Sequence, residues 1–295
     1  MSGDRTLSVL APAKINLYLH MTGRRDDGYH TLDSLVCFAD VGDVITLRAA
    51  DQFLLHIDGP FADGFATAER DAGPSFKNIV VRAAHMVAQA VNRELNCAVT
   101  LTKNLPLAAG LGGGSADAAA VIRTLLRWWG IEADAVPNLP ALLLKLGADV
   151  PVCFGGQPTV MRGIGEILQP VADLPPLYAV LINPRLDCAT AQVFARVRPP
   201  FRDDVDGGAP WVPFVQAQGN DLMRPAVEIV PEIEQVLQSL TQAGSFCARM
   251  CGSGATCFGL FATQDAAEQA AQMIAAHKPG WWVVGTVLAA DSTHG

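Results

Sequence analysis

The chain has 295 residues, half of them hydrophobic and only 17% charged. At roughly 100 to 200 residues per domain, that length makes two lobes or one large α/β unit, with core enough to fold without disulfides or a structural metal. The 21 basic residues against 29 acidic ones leave a net charge of −8, which excludes a general nucleic-acid binder but not a small anionic ligand held at a local positive site.

In chain order, Leu7 to His20 reads as a strand. Ile15, Leu17 and Leu19 share one face, and Lys14, Asn16, Tyr18 and His20 share a polar one. A turn at Gly23–Gly28 precedes an extended run from Tyr29 to Phe38, then short strands at Asp43–Leu47 and Phe53–Ile57. Residues 58–74 read as loop. A helix is expected from Ser75, with Ile79, Ala83, Met86, Val87 and Ala90 as its apolar stripe. Cys97–Thr102 is a strand closed by Pro106, and a glycine-rich stretch then enters a helix from Ser115, read as its N-cap, through Trp128. A helix over 139–146 stops at Gly147, read as a C′ position, and Pro151 bars continuation. Gly155-Gly156 marks the expected boundary between an N-terminal lobe (1–156) and a C-terminal lobe (157–295). Strands near 158–162 and 177–182, a loop at 199–210, a helix near 231–243, a strand–turn–strand at 246–261, a helix at 264–277 and a strand at 282–288 complete an α+β pattern in two lobes.

Seven cysteines, at 37, 97, 153, 188, 247, 251 and 257, form no CxxC and have no zinc-finger spacing to histidine. They read as reduced core thiols. No window approaches 18 uncharged apolar residues, and Asp4-Arg5 stand where a secretory signal needs apolar residues. A cytoplasmic protein without a membrane partner is expected.

The strongest chemical signal is Pro106 to Ala119. Four glycines in the five residues 110–114 leave main-chain amides unobstructed, and the helix behind them directs its N-terminal dipole into the loop. That is an anion site, most often for phosphate. No lysine follows as Walker A requires, and the sixth place from Gly110 is Ser115, so the dinucleotide fingerprint fails. Lys14 is the second signal: the chain uses sixteen arginines and five lysines, and a lysine is a compact charge able to sit beside a reacting hydroxyl. On the residues alone, Lys14 also fits a solvated strand face, Asp149 a turn, and Gly252-Ser253-Gly254 a plain hairpin.

Taken together, Pro106–Ala119 is similar to the nucleotide loop of the GHMP kinases. Ala11–Leu17, Gly28–Leu32, Gly147–Pro151 and Met250–Thr256 resemble the branch of that family acting on a cytidyl sugar alcohol. The resemblance covers nearly the whole chain. It implies a lobe like ribosomal protein S5 domain 2, a ferredoxin-like lobe, and a site between them. It implies phosphorylation by ATP of the 2-hydroxyl of 4-diphosphocytidyl-2-C-methyl-D-erythritol, in the non-mevalonate route to isoprenoid precursors. Catalysis falls to Lys14 and Asp149. ATP falls to Pro106, Leu107, Ala108, Ala109, Gly110, Leu111, Gly112, Gly113, Gly114, Ser115 and Ala116, with Mg²⁺ at Ser115. The cytidyl substrate falls to Asn16, Tyr29, His30, Thr190 and Phe194, and Asn78 and Lys103 are further candidates for nucleotide contact. Members often carry a second serine where this chain has Ala116. The assembly is expected to be a monomer or homodimer.

Overall fold

The structure is a computed structural model, and it describes residues 5–65 and 77–289. β1 (Thr6–Asn16), β2 (His20–Arg24) and β3 (His30–Ala49) form an antiparallel set. β3 is one 20-residue strand where two were expected. Its pairing with β1 shifts between Pro12 (opposite Gly42) and Lys14 (opposite Phe38), so β3 carries extra residues there and bends without breaking. β4 (Leu54–Asp58) lies parallel to β5 (Cys97–Thr102), and β5 is antiparallel to β3. The helices α1 (Ile79–Ala90), α2 (Gly113–Trp129), α3 (Leu139–Leu146) and α4 (Val150–Gly155) follow. Val80, Val87, Ile122 and Leu125 from α1 and α2 share one buried cluster with Ile45, Leu47, Val99 and Leu101 of the sheet. β6 (Thr159–Gly163) and β7 (Ile167–Pro170), beyond the Gly155-Gly156 pair, add to the other stretch of β3.

β8 (Leu177–Asn183) opens the second half, followed by the short helices α5 (Thr190–Phe194), α6 (Trp211–Ala217) and α7 (Met223–Val227), then α8 (Glu232–Gln242). β9 (Cys247–Met250), β10 (Cys257–Phe261), α9 (Gln264–His277) and β11 (Trp282–Leu288) complete it. The four strands run antiparallel in the order β11-β8-β10-β9. Val180 and Ile182 of β8 pack with Ile233, Val236 and Ile274 of α8 and α9, while Ala179 and Leu181 face a middle cluster with Ile15, Leu17 and Leu35. Both faces of β8 are therefore covered, which explains its continuous apolar run. At the bend of β3, Ala39 pairs with Leu288 of β11, so one sheet spans both halves. The α+β, two-lobed reading of the sequence holds.

Several boundaries differ from expectation. The start expected at Ser75, and residues 66–74 of the expected loop, lie outside the described residues. The described helix begins at Ile79 behind Asn78, whose Oδ1 accepts from Val80 N at 2.8 Å. α2 begins at Gly113, so Ser115 is its third residue rather than its cap. The cap is Gly112, at a φ of 63° that disfavours any side chain. Gly147 follows α3 with an extended φ of 166°, not a left-handed turn. Pro151 does not end a helix but sits in the first turn of α4, where no amide donor is needed. β7 and α5–α7 are too short to leave a periodic signal. All seven cysteines are free and buried, and among the described residues no helix is long and apolar enough to cross a membrane.

Candidate active site

The glycine loop and β1 are built as one piece. Lys14 N donates to Leu111 O at 2.9 Å, and a Cβ on Gly112 would meet Lys14 Cε at 3.1 Å. Gly110, at φ 75°, has no room for a side chain either: its Cβ would lie 2.6 Å from Cys251 O and 2.8 Å from Gly254 N. The loop thus wraps the lysine on one side and meshes with the 251–256 turn on the other. Behind it, the first-turn amides of α2 lack intrahelical acceptors, and an anion in front of them is favoured by those donors and by the helix dipole. The pocket at this end encloses about 370 Å³ and is lined by Pro106 through Ser115, Lys14, Asn16, Asp149, Thr190 and Phe194, among others.

Lys14 Nζ stands 2.9 Å from Asp149 Oδ2. β1 delivers the lysine, and the corner between α3 and α4 delivers the aspartate, whose side chain makes no cap bond to its own helix. Burial works against the ammonium, but the adjoining carboxylate outweighs it, so the lysine pKa lies above its ordinary value. The amine is therefore a fixed positive charge at neutral pH. Expected together on one polar strand face, Lys14, Asn16, Tyr18 and His20 are all buried, at 5%, 3%, 0% and 0% exposure. The second half of the molecule covers that face, and each of these side chains finds at least one partner, although His20 Nδ1 makes no hydrogen bond. Asn16 Nδ2 donates to Ser34 Oγ at 2.8 Å, the Tyr18 hydroxyl to Asp33 at 2.6 Å, and His20 Nε2 lies 3.1 Å from Gln218 Oε1.

On the opposite wall, Thr190 Oγ1 lies 2.8 Å from Ser253 Oγ. The Phe194 ring sits 5.7 Å from His30, and the Phe201 ring 6.2 Å from the same imidazole. His30 is not part of the pocket lining. Its pKa is lowered, first by partial burial and then by Arg24. Tyr29, 62% exposed, stands outside the lining on the turn before β3. Ala116 is also outside: at 1% exposure it faces the apolar core, so a serine hydroxyl there would not point at the pocket.

The comparisons with known proteins bear directly on this arrangement. Residues 78–157 match the GHMP kinases N terminal domain, and residues 216–280 match GHMP kinases C terminal. The 4-diphosphocytidyl-2-C-methyl-D-erythritol kinase of Paramagnetospirillum magneticum is 43% identical over 96% of this chain and 99% of its own length. The enzyme of that name from Cereibacter sphaeroides is 48% identical over 92% of this chain and 96% of its own. The chain belongs to the 4-diphosphocytidyl-2-C-methyl-D-erythritol kinase family. A crystal structure of 4-(cytidine 5'-diphospho)-2C-methyl-D-erythritol kinase aligns with a TM-score of 0.80 at 33% identity, covering 96% of this chain and all of that one. A homoserine kinase from Cytophaga hutchinsonii, at 20% identity and a TM-score of 0.70 over 98% of this chain and 97% of its own, shares the two-lobed GHMP kinase fold.

Within this kinase framework, Asp43 and Asp117 had no visible signal in the sequence. Lys103, a candidate for nucleotide contact, lines the pocket, but its ammonium is held by these two buried acidic side chains, Asp117 at 2.9 Å. Asp43 Oδ1 also accepts from the amides of Asn104 and Leu105, at 2.6 and 2.8 Å, fixing the strand end that launches the glycine loop. Asn78, a candidate for nucleotide contact, uses its side chain to cap α1. Gly252 and Ser253 join the lining from the other half of the chain, as the glycine pattern at 252–254 could only suggest.

Proposed function

We propose that this chain transfers the γ-phosphoryl group of ATP to the 2-hydroxyl of 4-diphosphocytidyl-2-C-methyl-D-erythritol, giving the 2-phosphate and ADP in the non-mevalonate isoprenoid route. One observation carries the mechanism: the Lys14–Asp149 pair, 2.9 Å apart, opens onto the same pocket as the glycine loop and the start of α2. Family membership supports the acceptor.

Phosphoryl transfer asks chiefly for positioning and for stabilisation of spread negative charge, so no covalent intermediate on the protein is needed. The loop amides and the N-terminus of α2 hold the β- and γ-phosphates. Asp149 accepts a hydrogen bond from the 2-hydroxyl and takes its proton as the oxygen bonds to the γ-phosphorus and the bridging bond to ADP breaks. The carboxylate is 35% exposed, which gives that proton a route to water. Lys14 holds a positive charge beside the attacking oxygen throughout.

Ser115, in the first turn of α2, would hold Mg²⁺ together with phosphate oxygens. A single hard oxygen donor suits a cation that draws most of its shell from phosphate and water. Among the described residues, no cluster of three or more His, Cys, Asp and Glu could hold a metal unaided. The ion would supply charge neutralisation on the triphosphate.

Tyr29 and Phe194 would stack on the cytosine ring, His30 would read its hydrogen-bonding edge, and Asn16 and Thr190 would reach the rest of the cytidyl substrate. In this reading, residues 1–156 carry the nucleotide and catalytic groups, and 157–295 complete the substrate wall. An ADP-release assay comparing the cytidyl alcohol with mevalonate and homoserine tests the proposal. Turnover confined to the cytidyl alcohol, and lost in Asp149→Asn, is expected; equal turnover on a plain alcohol would overturn it.

A further inference from the structure

Asn220 touches neither the pocket nor the catalytic pair, yet its buried side chain uses all its polar groups on parts of the wall. Nδ2 donates to Met250 O and to Gly252 O, both at 2.8 Å, and Oδ1 accepts from Leu222 N at 2.9 Å. Its main chain bridges to Leu19, with Leu19 N donating to Gly219 O at 3.0 Å and Asp221 N to Leu19 O at 2.9 Å. One amide therefore ties the end of β9 and the 251–256 turn to the segment between β1 and β2.

That turn is the surface on which the phosphate loop rests. A Cβ on Gly252 would lie 2.6 Å from Gly110 O and 3.4 Å from Asn16 Oδ1, and one on Gly110 would lie 2.6 Å from Cys251 O. Thr256 N also donates to Ala109 O at 3.2 Å. The two glycine turns are in main-chain contact, so a shift in one displaces the other. We propose that Asn220 is a positioning residue for nucleotide binding: by fixing Met250 and Gly252, it sets the turn that holds Gly110 and the phosphate loop in place.

The inference rests on the ATP site described above, but not on which alcohol accepts the phosphoryl group. ATP affinity is therefore measured by calorimetry on the full chain without any acceptor. Asn220→Asp is nearly isosteric and keeps an acceptor for Leu222 N, but puts an oxygen opposite two carbonyl oxygens. It should bind ATP roughly tenfold or more weakly, with the ATP KM rising in step, because small misplacements of a binding group carry penalties of that order. Gly110→Ala pushes the same turns apart from the other side and should show the same ATP signature. A merely structural asparagine would lower the folded fraction and leave the ATP KM of the folded enzyme unmoved. Should Asn220→Asp not fold, Asn220→Ser carries the same test. Unchanged ATP affinity in a folded Asn220 variant would overturn the inference, whatever the acceptor panel shows.

Discussion

The Lys14 ammonium and the Asp149 carboxylate touch at 2.9 Å but meet water very differently, with side-chain exposures of 6% and 35%. The asymmetry makes the two deletions unequal. Removing the aspartate strands a buried cation, whereas removing the lysine leaves a carboxylate that water can still reach.

Lys14→Met keeps the aliphatic stem and should leave the melting temperature near wild type while abolishing turnover. Asp149→Asn should abolish turnover too, and also destabilise by about 1–3 kcal/mol, the buried-pair figure discounted for solvent at the aspartate. Thermal denaturation of both variants beside their ADP release checks the order. A Lys14→Met variant less stable than Asp149→Asn would contradict it.

The depressed pKa of His30 predicts a pH profile. Partial burial, and then the nearby Arg24, disfavour the imidazolium, so the ring stays neutral below the ordinary histidine range near 6.5. If the neutral ring reads the cytosine edge, the KM for the cytidyl alcohol should stay flat from alkaline pH down through that range, rising only in more acidic solution. Arg24→Gln removes one of the two causes and should move that acid limb to higher pH. A limb unmoved by Arg24→Gln would mean that another group sets it.

Lys103 between Asp43 and Asp117 predicts a stability profile. Desolvation, and Asp43 beside it, outweigh the pull of Lys103 and push the Asp117 pKa up to about 8. A raised carboxyl pKa favours folding fully below the ordinary carboxylate value, and that contribution is lost as pH rises toward 8. Between these limits wild type should lose stability relative to Asp117→Asn, whose profile should be flatter. Lys103→Met, which leaves the buried Asp43 carboxylate beside Asp117 without its cation, should cost about 3–5 kcal/mol. Denaturant titrations at several pH values read both effects.

The glycine loop was legible because it is a local device: four glycines in five residues, a strand before and a helix behind, all within one stretch of chain. The Lys14–Asp149 pair has no such local signature, since nothing in either neighbourhood points to the other, and only the resemblance joined them. Alternation over the expected strand Leu7–His20, which the structure divides between β1 and the start of β2, revealed two faces but not that both are buried, because a polar stripe looks the same under water as under a second layer with partners. Tyr18 and His20, at 0% exposure, show the difference. The division of β3 into two expected strands failed for a related reason. Pairing with β1 on one side and β11 at the bend holds together a segment whose own residues suggest a break. Asn220 and the Asp43–Lys103–Asp117 group stayed invisible because their meaning lies in contacts across long chain separations.

Tyr29 offers the cleanest separation of substrate binding from folding. The residue is 62% exposed on the turn ahead of β3, and its amide donates to Oδ1 of the local Asp27 at 3.2 Å rather than to a group in the core. Tyr29→Ala should therefore leave the melting temperature and the ATP KM unchanged. The KM for the cytidyl alcohol should rise, because a base–aromatic stack contributes about 1–3 kcal/mol, equivalent to roughly 5- to 150-fold in affinity. Tyr29→Phe retains the ring and should restore most of the loss, since the stack needs the π face and not the hydroxyl. A cytidyl KM unchanged in Tyr29→Ala would remove this tyrosine from the substrate site and leave Phe194, already packed against His30 at 5.7 Å, to face the base without it.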